Sequence, residues 1–237
     1  MRKLMWVFGC FVLILLIALP IKDAMQVYDP ITFPLTGVHI VLDAGHGGPD
    51  GGAVHNDTEE KDITLRIVHM LRSFLEEAGA KVSVTREEDE DLANKKTKGY
   101  AKRKSEDIRN RLAFIEKENP DFFLSIHLNA LSESKWHGAQ TFYYPGKEEN
   151  KEIATAIQAA FISNLENTDR HALAIEHIYL LKHTKTPGSL VEVGFLSNPE
   201  ERKQLTTSDY QRKIAASIYY GILDYVQSSF TEKQTAD

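Results

Sequence analysis

Short apolar runs that alternate with segments of helical periodicity constrain the fold of this chain more than any other feature. Residues 38–43, 81–85 and 122–127 have the length and composition of buried strands. Between them, apolar residues recur at helical spacing over residues 62–78 and again over residues 108–115, where Asn119-Pro120 ends the second helix. A β-α-β-α-β order of this kind is typical of parallel strands covered by helices.

The rest of the chain extends the same pattern. We predict strands at residues 139–144, 178–181 and 189–193, a helix around residues 153–161 and a long closing helix with Tyr210 to Val226 on its apolar side. The charged residues 87–107 show no apolar periodicity, and we interpret them as a mobile surface insertion. The predicted fold is a single three-layer α/β domain over residues 35–230, with a mostly parallel or mixed sheet of about six strands flanked by helices, and a tail at 231–237.

The first 30 residues form a leader that we expect to lie outside this domain. After Met1-Arg2-Lys3, residues 5–19 form an uninterrupted apolar run that Pro20 ends. The run indicates export, but it is shorter than a typical spanning helix and no clear cleavage site follows it, so a cleaved signal and an N-terminal membrane anchor both remain open. The protein is therefore expected outside the cytoplasmic membrane, either secreted or anchored, and membrane contact is expected only through residues 5–19.

Composition excludes several kinds of site. The formal net charge is −6, which argues against nucleic acid as a partner. The one cysteine, Cys10, lies in the leader, so the domain has no disulfide framework, no cysteine-based zinc site and no thiol nucleophile. A metal in the domain would need histidine and carboxylate ligands.

Candidate ligands follow three predicted strands. His46, His127 and Glu192 come at or just after strand ends, and Glu60 begins the first helix. Because the carboxyl ends of parallel strands meet at one edge of a sheet, these residues can converge there. Two histidines, one carboxylate and a second, unligated carboxylate are the minimal set for a hydrolytic zinc site, with Glu192 as proton shuttle. Taken singly, Glu60 could equally be a helix-start carboxylate and Glu192 a buried ion-pair partner.

Five motifs carry a resemblance to a known family. They are LDAGHGGPDGGA at 42–53, EKD at 60–62, TREED at 85–89, SIHLNA at 125–130 and LVEVGFLSNPEE at 190–201. In this order they resemble the zinc-dependent N-acetylmuramoyl-L-alanine amidases. The short layout with a leader most resembles the germination-specific spore-cortex members of that family.

The resemblance implies a zinc enzyme in which His46, Glu60 and His127 bind the metal and Glu192 is catalytic. The implied reaction is hydrolysis of the amide between N-acetylmuramic acid and L-alanine in peptidoglycan. This reaction releases stem peptides and is expected in spore cortex maturation, through muramic lactam formation, and in germination. A downstream deacetylase in the same pathway and an activating or targeting protein are the further partners implied.

Two further residues are weak candidates for ordering the site or binding substrate. These are Asn129 and Arg86, each of which could equally have a structural role. The sequence departs from the family pattern after Arg86, where the link to the next helix is longer, and at Ile115-Glu116, where the family has Ala-Asn. The substrate groove near these positions is therefore not determined by the resemblance.

Two other functions remain as alternatives. One is another secreted zinc peptidase that acts on stem peptides. The other is a catalytically silent wall-binding scaffold, against which the presence of all four candidate metal and proton-transfer residues argues.

Overall fold

A mixed sheet forms the centre of the protein in the computed structural model, which describes residues 33–236. Its six strands are β1 (His39–Ala44), β4 (Lys81–Val84), β5 (Phe122–Asn129), β6 (Gln140–Tyr143), β7 (Leu173–Ala174) and β8 (Gly188–Phe195). The spatial order is β4-β1-β5-β8-β6-β7, with parallel pairing from β4 through β8 and antiparallel pairing of β6 with β8. The predicted α/β fold with a mixed sheet of about six strands is confirmed.

Helices cover both faces of this sheet. They are α1 (Glu60–Glu77), α2 (Tyr100–Glu118), α3 (Glu148–Ala160) with a π-helical turn (Phe161–Leu165), α4 (Tyr179–His183), α5 (Pro199–Leu205) and α6 (Ser208–Ala236). Helices α1, α3 and α6 pack with one face of the sheet in the larger hydrophobic core. Helices α2 and α4 pack with the other face in a smaller core. The closing helix α6 continues through the segment that the sequence assigned to a tail.

Side-chain alternation decides which residues face α2. In β1, Ile40 and Leu42 belong to the larger core, whereas Val41 belongs to the smaller one. Because successive strand side chains point to opposite faces, Asp43 lies on the same face as Val41. The same alternation in β5 puts Ser125 and His127 on the face of Phe123. The polar residues at the carboxyl ends of these strands therefore face α2 and α4.

One predicted strand is wrong. Residues 178–181 contribute to α4, a short helix, rather than to a strand. Leu180 and Leu181 are both buried although they are adjacent, and both pack in the smaller core with Ile115 of α2. A short apolar run does not distinguish a strand from a buried helical turn by periodicity, and here the helix covers the sheet instead of extending it.

The prediction of a surface insertion at residues 87–107 is also wrong in part. Residues 100–107 are the first two turns of α2, and Asp107 is buried. Residues 87–99 are irregular but hydrogen-bonded: the Leu92 amide donates to Asp107 at 2.7 Å, and Asn110 donates to the Leu92 carbonyl at 2.7 Å. The sequence does not show this order, because the segment is held by contacts between polar and charged groups and has no apolar stripe.

Several small elements, strand β7 among them, were not predicted from the sequence. Strands β2 (Val54–His55) and β3 (Thr58–Glu59) form a hairpin directly before α1, and α5 begins at an Asn198 cap. The predicted leader at 1–30, with its apolar run at 5–19, lies outside the described residues. Within residues 33–236, no helix has the length and apolarity needed to span a membrane.

The smaller core predicts a measurable cost of truncation in α2. Ile115 is fully buried against this core, so Ile115→Ala should lower the free energy of unfolding by about 2–5 kcal/mol. Ile162→Ala is the matched control, because Ile162 is 39% exposed and the chemical change is the same. Denaturant unfolding of both variants measures the difference, and equal costs would contradict this assignment of the core.

Candidate metal centre and active site

The side chains of His46, Glu60 and His127 converge at the carboxyl edge of the sheet. His46 Nε2 lies 3.3 Å from Glu60 Oε2, and His127 Nδ1 lies 2.9 Å from Glu60 Oε1. One ligand atom from each of the three residues lies within 4.8 Å of the others. Residues that are 14 to 81 positions apart in the sequence are therefore brought to one point, as the strand-end argument predicts.

Backbone geometry holds each of these side chains in place. Glu60 begins α1, and its carboxylate accepts hydrogen bonds from the Ala53 amide at 2.7 Å and the Leu128 amide at 2.8 Å. His46 has a φ of 63°, a left-handed conformation that is rare outside glycine and marks a constrained site. A Cβ at position 45 would lie 2.4 Å from His127 Cε1, so only glycine leaves room for the His127 ring.

The charge of the site favours a cation. Burial lowers the pKa of His46, but hydrogen bonds and charges from Asp50 and Glu60 outweigh burial and raise the pKa to about 9. The two histidines in turn hold the pKa of Glu60 well below its usual range against the opposing effect of burial. The negative charges of Glu60 and Asp50 thus favour a cation at the cluster, which combines the imidazole and carboxylate donors that zinc uses in hydrolytic enzymes.

Glu192 lies beside this cluster on the adjacent strand. It pairs with His127 in the register of β8 against β5, and both residues line the same cavity. Its Oε2 is shielded from solvent and has no hydrogen-bond partner among the described residues. Burial raises the pKa of Glu192 to about 7; His127 and His46 oppose this rise, and Glu60 adds to it. A carboxyl group with a pKa near neutrality can both accept and return a proton.

The cavity that contains these groups has a volume of about 390 Å³. Helix α2 contributes Lys104, Ile108 and Arg111 to its wall, and apolar side chains from α4 and β8 continue the lining. Helix α2, whose first two turns fall in the predicted surface insertion, is therefore one wall of the candidate active site.

A buried ion pair forms part of the cavity wall. Arg111 Nη1 of α2 donates to Asp43 Oδ1 at the end of β1 at 2.7 Å, and Arg111 Nε donates to Asp107 at 2.8 Å. The hydroxyl groups of Ser125 and Thr85 also donate to Asp43, at 2.6 and 2.8 Å. Burial alone would raise the pKa of Asp43, but the Arg111 charge and these two hydroxyl groups lower it to about 2.

Arg86 and Asn129, the two weak candidates for ordering the site or binding substrate, have different surroundings. Arg86 is 2% exposed, and its guanidinium donates to the backbone carbonyls of Ala44, Gly45 and Lys61 at 2.7 to 3.1 Å. It supports the glycine loop, residues 45–52, through these carbonyls and is not among the residues that line the cavity. Asn129 ends β5 half-buried, and its backbone carbonyl accepts from the Leu196 amide at 2.9 Å.

Sequence reasoning missed the supporting residues Asp50 and Arg111. The signal for Asp50 was its place four residues after His46 in the glycine loop, where its carboxylate lies 3.0 Å from His46 Nδ1. The helical pattern around Arg111 is marked by apolar residues, and it gives no role to the arginine.

Comparison with known proteins assigns this fold and site to a class of enzymes. Residues 40–224 match the Amidase_3 family, described as N-acetylmuramoyl-L-alanine amidase. The chain belongs to this family, and its activity class is therefore that of an amidase acting on peptidoglycan. The resemblance seen in the sequence motifs is confirmed.

The chain is also similar to individual amidases of this family. The chain is 50% identical over 206 residues to the germination-specific N-acetylmuramoyl-L-alanine amidase of Bacillus subtilis, covering 87% of this chain and 85% of that protein. A solved structure of the CwlD amidase from Clostridioides difficile, in complex with the GerS lipoprotein, is 42% identical with a TM-score of 0.79 and covers 81% of this chain and 99% of that chain. The amidase AmiC2 of Nostoc punctiforme is 27% identical with a TM-score of 0.70, covering 81% and 99%.

The buried ion pair predicts a specific pH dependence of stability. Since folding lowers the pKa of Asp43 from 3.8 to about 2, the ionised carboxylate stabilises the fold above pH 4, and this contribution is lost as the pH falls toward 2. Asp43→Asn should lower the free energy of unfolding by about 3–5 kcal/mol at pH 7, because Arg111 loses a buried partner. Denaturant unfolding at several pH values should show the gap between native protein and variant narrowing between pH 4 and 2. A variant at the exposed Asp169, Asp169→Asn, is the control, and a gap that is constant with pH would contradict the assignment.

Proposed function

We propose that this chain is a zinc-dependent enzyme that hydrolyses the amide between N-acetylmuramic acid and L-alanine, with His46, Glu60 and His127 as metal ligands and Glu192 as the catalytic residue. The observation that carries the proposal is the convergence of the three ligand side chains within 4.8 Å, with Glu192 lining the same cavity. We assign this activity to the domain predicted over residues 35–230.

The donor set fits zinc. Two imidazoles and one carboxylate are a common three-residue ligand set for catalytic zinc, and they leave a fourth position for water or substrate. The unpartnered Oε2 of Glu192 supplies a proton acceptor that is not itself required as a ligand. Zinc bound here would polarise the scissile carbonyl and lower the pKa of a bound water toward neutrality.

A side chain of the protein would then transfer the proton. Glu192 accepts the proton of the attacking water and returns it to the amine of L-alanine as the carbon–nitrogen bond breaks. Its pKa of about 7 suits both transfers. The apolar lining from Ile108, Leu180 and Leu190 limits water around the reacting groups.

We further propose that the enzyme acts outside the cytoplasmic membrane on spore cortex peptidoglycan. Support comes from the 50% identity to a germination-specific amidase and from the apolar run at residues 5–19, which is expected to direct export or to anchor the chain. Cleavage would expose muramic acid for muramic lactam formation, a route that requires a deacetylase downstream. A lipoprotein partner is supported by the 42% identical CwlD structure, whose complex contains the GerS lipoprotein.

Substitution at the site should separate metal binding from proton transfer. Glu192→Gln should keep zinc and lose turnover by about 10²- to 10⁴-fold, because the amide cannot accept the proton. His127→Ala should lose both zinc and activity. Mass spectrometry of peptidoglycan incubated with each protein, with zinc or chelator, measures release of stem peptides that begin with a free L-alanine amino group.

These measurements also distinguish the alternatives. Products cut within the stem peptide would indicate a zinc peptidase instead of the proposed amidase. Equal turnover by Glu192→Gln and the native protein would remove Glu192 from its catalytic role.

The cortex assignment predicts a substrate preference. The native enzyme should release more stem peptide from cortex peptidoglycan than from vegetative wall of the same organism, in parallel digests at equal zinc. Equal rates on both would contradict the assignment. Zinc-loaded enzyme that leaves both substrates intact until a lipoprotein is added would support the partner, whereas full activity alone would contradict a required partner.

A further inference from the structure

The second ring nitrogen of His46 is held by Asp50. His46 Nε2 faces Glu60, and His46 Nδ1 lies 3.0 Å from Asp50 Oδ2. An acceptor at Nδ1 places the proton on that nitrogen and leaves the lone pair of Nε2 free for a metal. Asp50 therefore selects both the tautomer and the ring orientation that a ligand needs.

Asp50 is itself fixed by α2, from the other side. Lys104 Nζ lies 3.0 Å from Asp50 Oδ2, and Tyr100 Oη donates to Asp50 Oδ1 at 2.9 Å. The Gly52 amide donates to Oδ1 at 3.1 Å. The aspartate is buried, while the side chain of Lys104 is 47% exposed. Both carboxylate oxygens thus have partners, and the same oxygen, Oδ2, serves His46 and Lys104.

Residues 87–99, which precede α2, lie directly on the loop that carries His46. Asp89 accepts a hydrogen bond from the Gly48 amide at 2.8 Å. Gly47 has a φ of 137°, and a Cβ there would lie 2.2 Å from the Glu90 carbonyl oxygen, so the two backbones pass at a distance only glycine permits. Arg103 of α2 in turn binds Asp91 and thereby ties this segment to the start of the helix.

We propose that the charged segment 87–107 is a positioning element for the metal ligand His46, in which Tyr100 and Lys104 hold Asp50 and Asp50 holds the His46 imidazole. The proposal rests on the proposed zinc function and deepens it. It gives the charged residues a role that a solvated insertion would not have. It also makes Asp50, Tyr100 and Lys104 positioning residues, since they act through His46.

A different role for Lys104 has to be separated from this one. Lys104 also lines the cavity, where its ammonium group could bind an anionic group of the substrate directly. Zinc affinity in the absence of substrate tells the two roles apart, because a residue that only binds substrate leaves that affinity unchanged. Asp50→Asn is nearly isosteric, so it tests the shared Oδ2 without opening a cavity.

The experiment is a double-mutant cycle on zinc affinity, measured with the full-length chain by competition against a chromophoric chelator. Asp50→Asn should weaken zinc binding by about 10- to 100-fold. Lys104→Met should weaken it by about two- to fivefold in the native background and should have no effect in the Asp50→Asn background, because Lys104 acts through Asp50. Tyr100→Phe should weaken zinc binding in the native background by a similar amount, about two- to fivefold.

Two exposed residues serve as matched controls. Lys102→Met removes the same charge from an exposed position two residues before Lys104, and Tyr220→Phe removes a hydroxyl from a tyrosine of similar exposure; neither should change zinc affinity. Unchanged zinc affinity in Asp50→Asn would overturn the proposal, as would an effect of Lys104→Met that persists in the Asp50→Asn background. A native protein that binds no zinc would overturn the proposed function as well, so the two failures are distinguishable.

Discussion

The buried pairing of Asp43 with Arg111 is the interaction on which the rest of the site depends. Three side chains from different elements donate to Asp43: Arg111 from α2, Ser125 from β5 and Thr85, which directly follows β4. The same guanidinium donates to the carbonyls of Ala44 and His46 at 2.7 and 2.6 Å. One buried cation therefore joins helix, sheet and loop, and it holds the backbone of a candidate ligand in its left-handed conformation. Removing Arg111 leaves Asp43 without its ion-pair partner, and removing Asp43 leaves Arg111 with Asp107 alone, so the network is maintained as a unit.

The positions of the polar groups in the site follow from the topology of the sheet. Three neighbouring parallel strands end side by side, and their alternation turns Asp43, His127 and Glu192 toward the same helices. Glu60 joins them because α1 begins at that edge and its carboxylate accepts two backbone amides. The site is thus carried mostly by regular elements, and only His46 depends on a loop. Arg86 contacts that loop on one side and the charged segment contacts it on the other. These contacts fix the loop although it has no regular secondary structure.

Much of this arrangement could be predicted from the sequence. Apolar runs of strand length located β1, β4, β5 and β8. Three strand ends and the start of the first helix predicted that His46, His127, Glu192 and Glu60 come together. Prediction failed where local patterns carry no information about tertiary partners. The apolar run that forms α4 is too short to show a period, and the first turns of α2 are stabilised by ion pairs in place of an apolar stripe. Arg86 illustrates the same limit: its position in a family motif is visible, but only the fold shows that its donors are directed to backbone carbonyls below the loop.

The strand order has a consequence for the behaviour of the protein in solution. The two outer strands of the sheet are β4, with four residues, and β7, with two. Strand β4 begins at the exposed Lys81, and β7 consists only of the two residues that pair with β6. Edges this short, one of them carrying a lysine, present few free amide and carbonyl groups to another chain. The sheet is therefore a poor template for strand addition, which protects the protein from edge-to-edge aggregation.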